Sequence, residues 1–255
     1  MPLFQRYIGI DYSGAKTPTS SLPGLRVYEA DRLTKPHEVQ PPQSPRKYWT
    51  RQGIAEWLAG QLSSEIPILV GIDHGFSFPM AYFTKYGLPH DWYLFLDDFH
   101  QHWPTDEELT YVEFLREGNK RTGDESWLRL TENWTATAKS VFKFDVQGQV
   151  AKSTHAGLPW LRYLRMKCPG QVHFWPFDSW EIPQGRSVIA EVYPSLWMKR
   201  FPVDGRNGDQ HAAYSATAWL RRSDRDEWVQ RCFNPPLEPE ERTTAEIEGW
   251  ILGVL

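Results

Sequence analysis

The chain has 255 residues and a formal net charge of −4, from 28 Lys+Arg and 32 Asp+Glu. That balance excludes a histone-like protein held to nucleic acid by bulk positive charge, though not one with a local basic patch. With 40% hydrophobic, 24% charged and 15% aromatic residues, it has enough large, stiff apolar side chains to build a core, which argues against disorder.

Tyr7-Ile-Gly-Ile-Asp11 is a short β-branched run ending in an acid, followed by the turn-forming Tyr12-Ser13-Gly14; it reads as a buried strand and then a turn. Leu25 to Ala30 alternates enough to be its hairpin partner. The stretch 34–47 carries four prolines and reads as a loop with room for a short third strand. Thr50 offers an N-cap, and Ile54, Trp57, Leu58 and Leu62 repeat at helical spacing. Pro67 to Asp73 is a second buried strand ending in an acid, ahead of His74-Gly75.

Thr105-Asp-Glu-Glu predicts a helix start, with Leu109, Val112 and Leu115 on one face. Residues 91–115 carry seven acids and no Lys or Arg, whereas 116–167 carry ten Lys/Arg against five acids. No linker-like composition flanks this middle part, so about 79–150 reads as a mainly helical insertion within a single domain, 1–255. A helix from Leu158 through Leu161 and Leu164 follows, then a strand at Val172–Trp175 and a clearer one from Ser187 that carries Glu191. Asp209 opens a helix with Ala213, Ala216 and Leu220 on its small face, and Ile247, Trp250, Ile251 and Val254 form a closing stripe at helical spacing.

The two cysteines, Cys168 and Cys232, stand far apart, too few for a disulfide framework or a Cys-ligated zinc site. No apolar run reaches the roughly 18–20 residues that span a bilayer, and the first residues do not read as a leader. A cytoplasmic location without a membrane partner is therefore expected, and the sequon Asn133-Trp134-Thr135 is expected to be chance.

Four acids stand out: Asp11, Asp73 and Glu191 on strands, and Asp209 at a helix start. Carboxylates at strand ends beside a helix terminus suit Mg²⁺ or Mn²⁺, hard cations that take oxygen ligands and in phosphoryl-transfer sites often act as a pair. Each acid also has a plainer role. Asp11 and Asp73 would serve the amides of the turns that follow them, Glu191 would be an edge-facing surface residue, and Asp209 would be an N-cap. His100 and His102 near Asp97, Asp98 and Asp106 could hold a transition metal or belong to a solvated acidic surface. His74 and His211 neighbour the candidate ligands and could move protons or be structural. Ser13, Lys139, Lys143 and Lys152 are candidate substrate contacts, the lysines through phosphate.

At these same residues the chain resembles the family known as domain of unknown function 429, regarded as predicted nucleases of ribonuclease H-like fold. The resemblance rests on Gly9-Ile-Asp11-Tyr-Ser-Gly-Ala, Val70-Gly-Ile-Asp73, Lys139-Ser-Val-Phe142, Ala190-Glu191-Val-Tyr-Pro194, Asp209-Gln-His-Ala-Ala-Tyr-Ser-Ala-Thr-Ala-Trp219 and Glu248-Gly-Trp-Ile251. It implies an α/β domain with a mixed sheet flanked by helices. It also implies a divalent-metal nuclease in which Asp11, Asp73, Glu191 and Asp209 hold one or two ions against a nucleic acid substrate. One position departs: related nucleases place a second acid three residues on in the last helix, where this chain has Ala212. Two further readings stay open. One is a non-catalytic nucleic-acid-binding protein on the same fold, and the other a phosphotransfer protein of the actin-like ATPase and sugar kinase class.

Overall fold

β1 (Arg6–Asp11) and β4 (Ile68–Asp73) lie side by side in the interior of a mixed sheet. β2 (Arg26–Asp31) and β3 (His37–Glu38) extend it antiparallel beyond β1; β6 (Ser187–Glu191) and β5 (Val172–Phe174) extend it parallel beyond β4. The order is β3-β2-β1-β4-β6-β5. The computed structural model describes residues 2–43, 46–135, 137–144 and 150–255. The α-helices among them are α1 (Arg51–Leu62), α2 (Met80–Tyr86), α3 (Trp92–His102), α4 (Val112–Arg116), α5 (Leu130–Asn133), α6 (Val150–Lys167), α7 (Gly208–Arg225), α8 (Trp228–Cys232) and α9 (Pro239–Glu248). No helix among these residues is long and apolar enough to cross a membrane.

The two faces of the sheet follow from period-2 alternation. Ile8 and Ile10 of β1 and Ile68, Val70 and Ile72 of β4 point to one side, where they pack with α1, α3 and α6. Tyr7 and Leu69 point to the other, with Ala216, Trp219 and Leu220 of α7 and the chain's last residues. Gly9 lies on that second face, and a Cβ there would sit 2.6 Å from the Ala213 carbonyl and the Thr217 hydroxyl. The glycine is what lets α7 lie directly on β1, with the small Ala213 opposite it. Asp224, near the end of α7 and fully buried, fastens the chain start by accepting from the amides of Leu3 and Phe4 and from the Tyr7 hydroxyl.

The strands and α1 stand where the sequence places them, and Thr50 caps α1 by accepting from the Gly53 amide. The stretch expected as a helical insertion holds α2 to α5 with long irregular segments between them. Its aromatic residues Tyr82, Phe95, Phe99, Trp103 and Phe142 join the core on the first face of the sheet; Asp145 to Gln149 lie outside the described residues.

Three expectations need correction. No helix starts at Thr105: the chain turns through Pro104–Thr110, Leu109 has φ of 67° and is 78% exposed, and the helix begins only at Val112. The helix expected from Leu158 instead runs from Val150, through Pro159. One contact links the two segments. Pro159 has no N–H for the carbonyl four residues back, that of His155, and the buried Thr105 hydroxyl donates to that carbonyl at 2.7 Å instead. At the chain's end, α9 stops at Glu248 because Gly249 takes φ of 80°. Trp250, Ile251 and Val254 are buried as non-helical backbone, with Ile251 bridging to Glu191.

Candidate functional site

In parallel strands in register, the residues that end them share one edge of the sheet, the usual ligand side of an α/β fold. Asp11 pairs with Asp73 across β1 and β4, and Ile72 pairs with Glu191 across β4 and β6. Three acids from three adjacent strands thus reach one cavity of about 630 Å³, which Asp209 also lines from the first turn of α7.

The β1–β4 wall carries unbalanced negative charge. Burial, then the neighbouring Asp73 and Asp209, push the Asp11 carboxyl well above the usual carboxylate range, with Arg26 opposing. Burial, then Glu191, push Asp73 up to about 7. Among the described residues neither carboxylate has a hydrogen-bond or ion-pair partner. The turn amides that would have given Asp11 and Asp73 a purely local role are therefore not bound by them.

The β6 wall is different. Glu191 is 4% exposed and sits on an interior strand, not an edge. Arg129 Nη2 donates to its Oε1 at 2.6 Å and Nη1 to its Oε2 at 2.8 Å, while the Phe76 amide donates to Oε2 at 3.0 Å. Arg129 Nε reaches Glu132 Oε1 at 2.9 Å, and Nη1 also reaches the Glu248 carbonyl at 3.2 Å. The guanidinium is 1% exposed. Burial alone would lower its pKa, but Glu191 and then Glu132 outweigh that and raise it. Glu248 completes the network by accepting from the Met80 and Leu130 amides, so α2, α5, α9 and β6 meet around one buried cation.

Asp209 is exposed at the cavity rim and is not the N-cap; Asn207 caps α7, in a capping box with Gln210. Ser13 lines the cavity in a loop whose shape Arg51 fixes, donating from its fully buried guanidinium to the carbonyls of Ser13, Ala15 and Lys16. A Cβ on Gly14 would fall 2.1 Å from the Lys152 carbonyl, so this loop lies directly on the first turn of α6. Lys152 and the exposed Lys139 line the cavity, Lys152 paired with Glu113; Lys143 does not line it.

The histidines divide. His74 borders the cavity with Nδ1 against the Gly75 carbonyl, and burial pushes it down to about 4, leaving a neutral ring. His211 lies against the Met198 carbonyl. His100 pairs with Asp106, whereas Asp98 pairs with Arg121 at 2.8 Å and lies 3.9 Å from His102, whose Nδ1 is held against the Asp98 carbonyl. Cys168 is buried and free, and burial raises its thiol pKa.

Among the described residues no group of three or more His, Cys, Asp or Glu side chains is arranged to hold a metal ion. The donor set that remains open, two oxygen-bearing side chains beside a cavity, fits a hard cation of the Mg²⁺ type, which keeps several waters and uses one or two carboxylates plus substrate phosphate. The sequence reading missed Arg129, Glu132 and Glu248. The available signal was an arginine set among Trp127, Leu128 and Leu130 with a glutamate three residues on, a charge inside an apolar run. Comparisons of the chain with protein-family models, curated proteins and solved structures find no match.

Proposed function

We propose that the cavity is a site of divalent-cation-dependent phosphodiester hydrolysis on nucleic acid, built on a sheet of ribonuclease H-like type. One observation carries the reading: Asp11 and Asp73 stand in register at the ends of adjacent parallel strands, with no partner among the described residues, beside a cavity of about 630 Å³. Two half-buried like charges side by side are costly unless protonated or matched by a cation. A Mg²⁺ or Mn²⁺ on Asp11 and Asp73 would polarise a phosphoryl oxygen and make a bound water acidic. The chain's own contribution is to position: Lys139 and Lys152 on the cavity wall meet backbone phosphate, Ser13 offers a hydroxyl in a loop held by Arg51, and Asp209 at the rim accepts from water. The order of the blocks Gly9–Ala15, Val70–Asp73, Ala190–Pro194 and Asp209–Trp219, which resemble domain of unknown function 429, supports the same reading.

A second reading, a nucleic-acid-binding protein without hydrolysis, is favoured by one observation: Glu191 is already paired with Arg129, and Ala212 stands where a further acid would be. Mn²⁺ titration by calorimetry of the wild type and of Asp11→Asn separates the two, followed by cleavage assays on single- and double-stranded DNA and RNA. The expected result is micromolar binding that Asp11→Asn abolishes, together with cleavage that needs the ion. Oligonucleotide binding indifferent to Mn²⁺ and to Asp11→Asn would leave the binding protein as the correct description.

A further inference from the structure

We infer that the cavity takes one divalent ion, on the Asp11–Asp73 wall, and that the Arg129 guanidinium holds the position that a second ion would need. This rests on the reading above and specifies it. A carboxylate becomes a metal ligand by turning a lone pair toward the ion, and three of the roughly four lone-pair sites of Glu191 are taken, by Arg129 Nη1 and Nη2 and by the Phe76 amide, which leaves one on Oε1 beside the guanidinium. Arg129 is in turn fixed by Glu132 and by the Glu248 carbonyl and is 1% exposed, so it cannot swing aside into water to release Glu191.

Charge balance agrees. Asp11 and Asp73, when ionised, carry two negative charges that one divalent ion neutralises. Glu191 and Glu132 already share one buried cation, two formal negative charges against one positive, so less charge is left to match there than on the Asp11–Asp73 wall. A second divalent ion against Glu191 would face a fixed guanidinium at close range in a low-dielectric wall, a repulsion that only the exposed Asp209 at the rim is left to offset. Of the five N–H groups of Arg129, four are bonded in this network; one on Nη2 has no partner among the described residues, and the side chain lines the cavity. Arg129 thus sets a permanent positive charge on the β6 wall, opposite the ion, as a planar donor suited to phosphate oxygens.

The test is the stoichiometry and spectrum of Mn²⁺ on the full chain, with a short phosphorothioate oligonucleotide present and absent, read by calorimetry and electron paramagnetic resonance. The expected result is saturation at one equivalent with the spectrum of an isolated ion, where a pair at roughly 3.5–4 Å would be exchange-coupled. Two equivalents with a coupled spectrum would overturn the inference and leave the proposed function standing. No Mn²⁺ in either condition would overturn both. In a second arm, Glu191→Gln should keep Mn²⁺ affinity within about threefold, whereas Asp73→Asn should lose at least about tenfold. Equal losses in the two variants, with unchanged circular dichroism and thermal midpoints, would make Glu191 a ligand and refute the assignment.

Discussion

On the β1–β4 wall of the cavity, Asp11 and Asp73 end neighbouring strands, and the charge on Asp73 adds to burial in raising the cost of ionising Asp11. On the β6 wall, Glu191 ends the next strand over, more deeply buried, and it is bonded at both oxygens by a guanidinium. The three positions are alike in sequence, each an acid closing a β-branched run. What separates them is whether the fold delivers a cation to the carboxylate. A site assembled by evolution for a ligand leaves its charge unbalanced until the ligand arrives, whereas a structural ion pair is complete in the empty protein.

That contrast can be broken from either side. The largest effect is expected for Arg129→Ala, which strands Glu191 and Glu132 in the interior and should cost about 3–5 kcal/mol of unfolding free energy, read by urea denaturation. A loss under about 1 kcal/mol would mean the network contributes little and the walls are not different in kind.

Asp73→Asn should act in the opposite direction. Asp73 is held up at about 7 in the folded chain, above its unfolded value of 3.8, so ionising it disfavours the fold. The penalty is absent below pH 3.8, grows between there and about 7, and is full above that. Without added metal, the variant should therefore be more stable than wild type by on the order of 2 kcal/mol at pH 8 and nearly equal to it at pH 4. A destabilised variant at pH 8 would show that Asp73 has a stabilising partner after all.

The same titration sharpens the comparison through the ion. Mn²⁺ must displace the proton held on the Asp11–Asp73 pair, with Glu191, Asp209 and Arg26 as the other charged neighbours. Apparent affinity should therefore rise with pH through about 7, where Asp73 is held, with proton release measurable by calorimetry in buffers of different ionisation enthalpy. The smallest effect is expected at the rim: Asp209→Asn should change stability by less than about 0.5 kcal/mol, because the residue is exposed and Asn207 caps the helix without it. It should weaken Mn²⁺ binding less than either Asp11→Asn or Asp73→Asn.

Much of the frame was legible. Tyr7–Asp11 and Pro67–Asp73 declared themselves as buried strands, and Thr50 with Ile54, Leu58 and Leu62 declared α1, because cap chemistry and periodicity act within a turn or two. The middle of the chain was not legible, for a reason that Thr105 illustrates. It carries the marks of a helix start, but its hydroxyl serves a carbonyl orphaned by Pro159, 50 residues downstream of that hydroxyl at His155. Trp250, Ile251 and Val254 likewise have the spacing of a helix face and are buried by a non-helical path that Gly249 begins.

For the site, the sequence by itself determined which strands end in acids and that Asp11 and Asp73 terminate similar segments, since residue type and local pattern are properties of a few neighbouring positions. Only the tertiary structure decided that Asp11 and Asp73 stand side by side with no hydrogen-bonded or ion-paired partner among the described residues and that Glu191 has one. The reason is physical: the cation that neutralises Glu191 is Arg129, 62 residues away along the chain. The state of a buried carboxylate depends on the charges and amides that folding packs against it, not on the residues beside it in sequence.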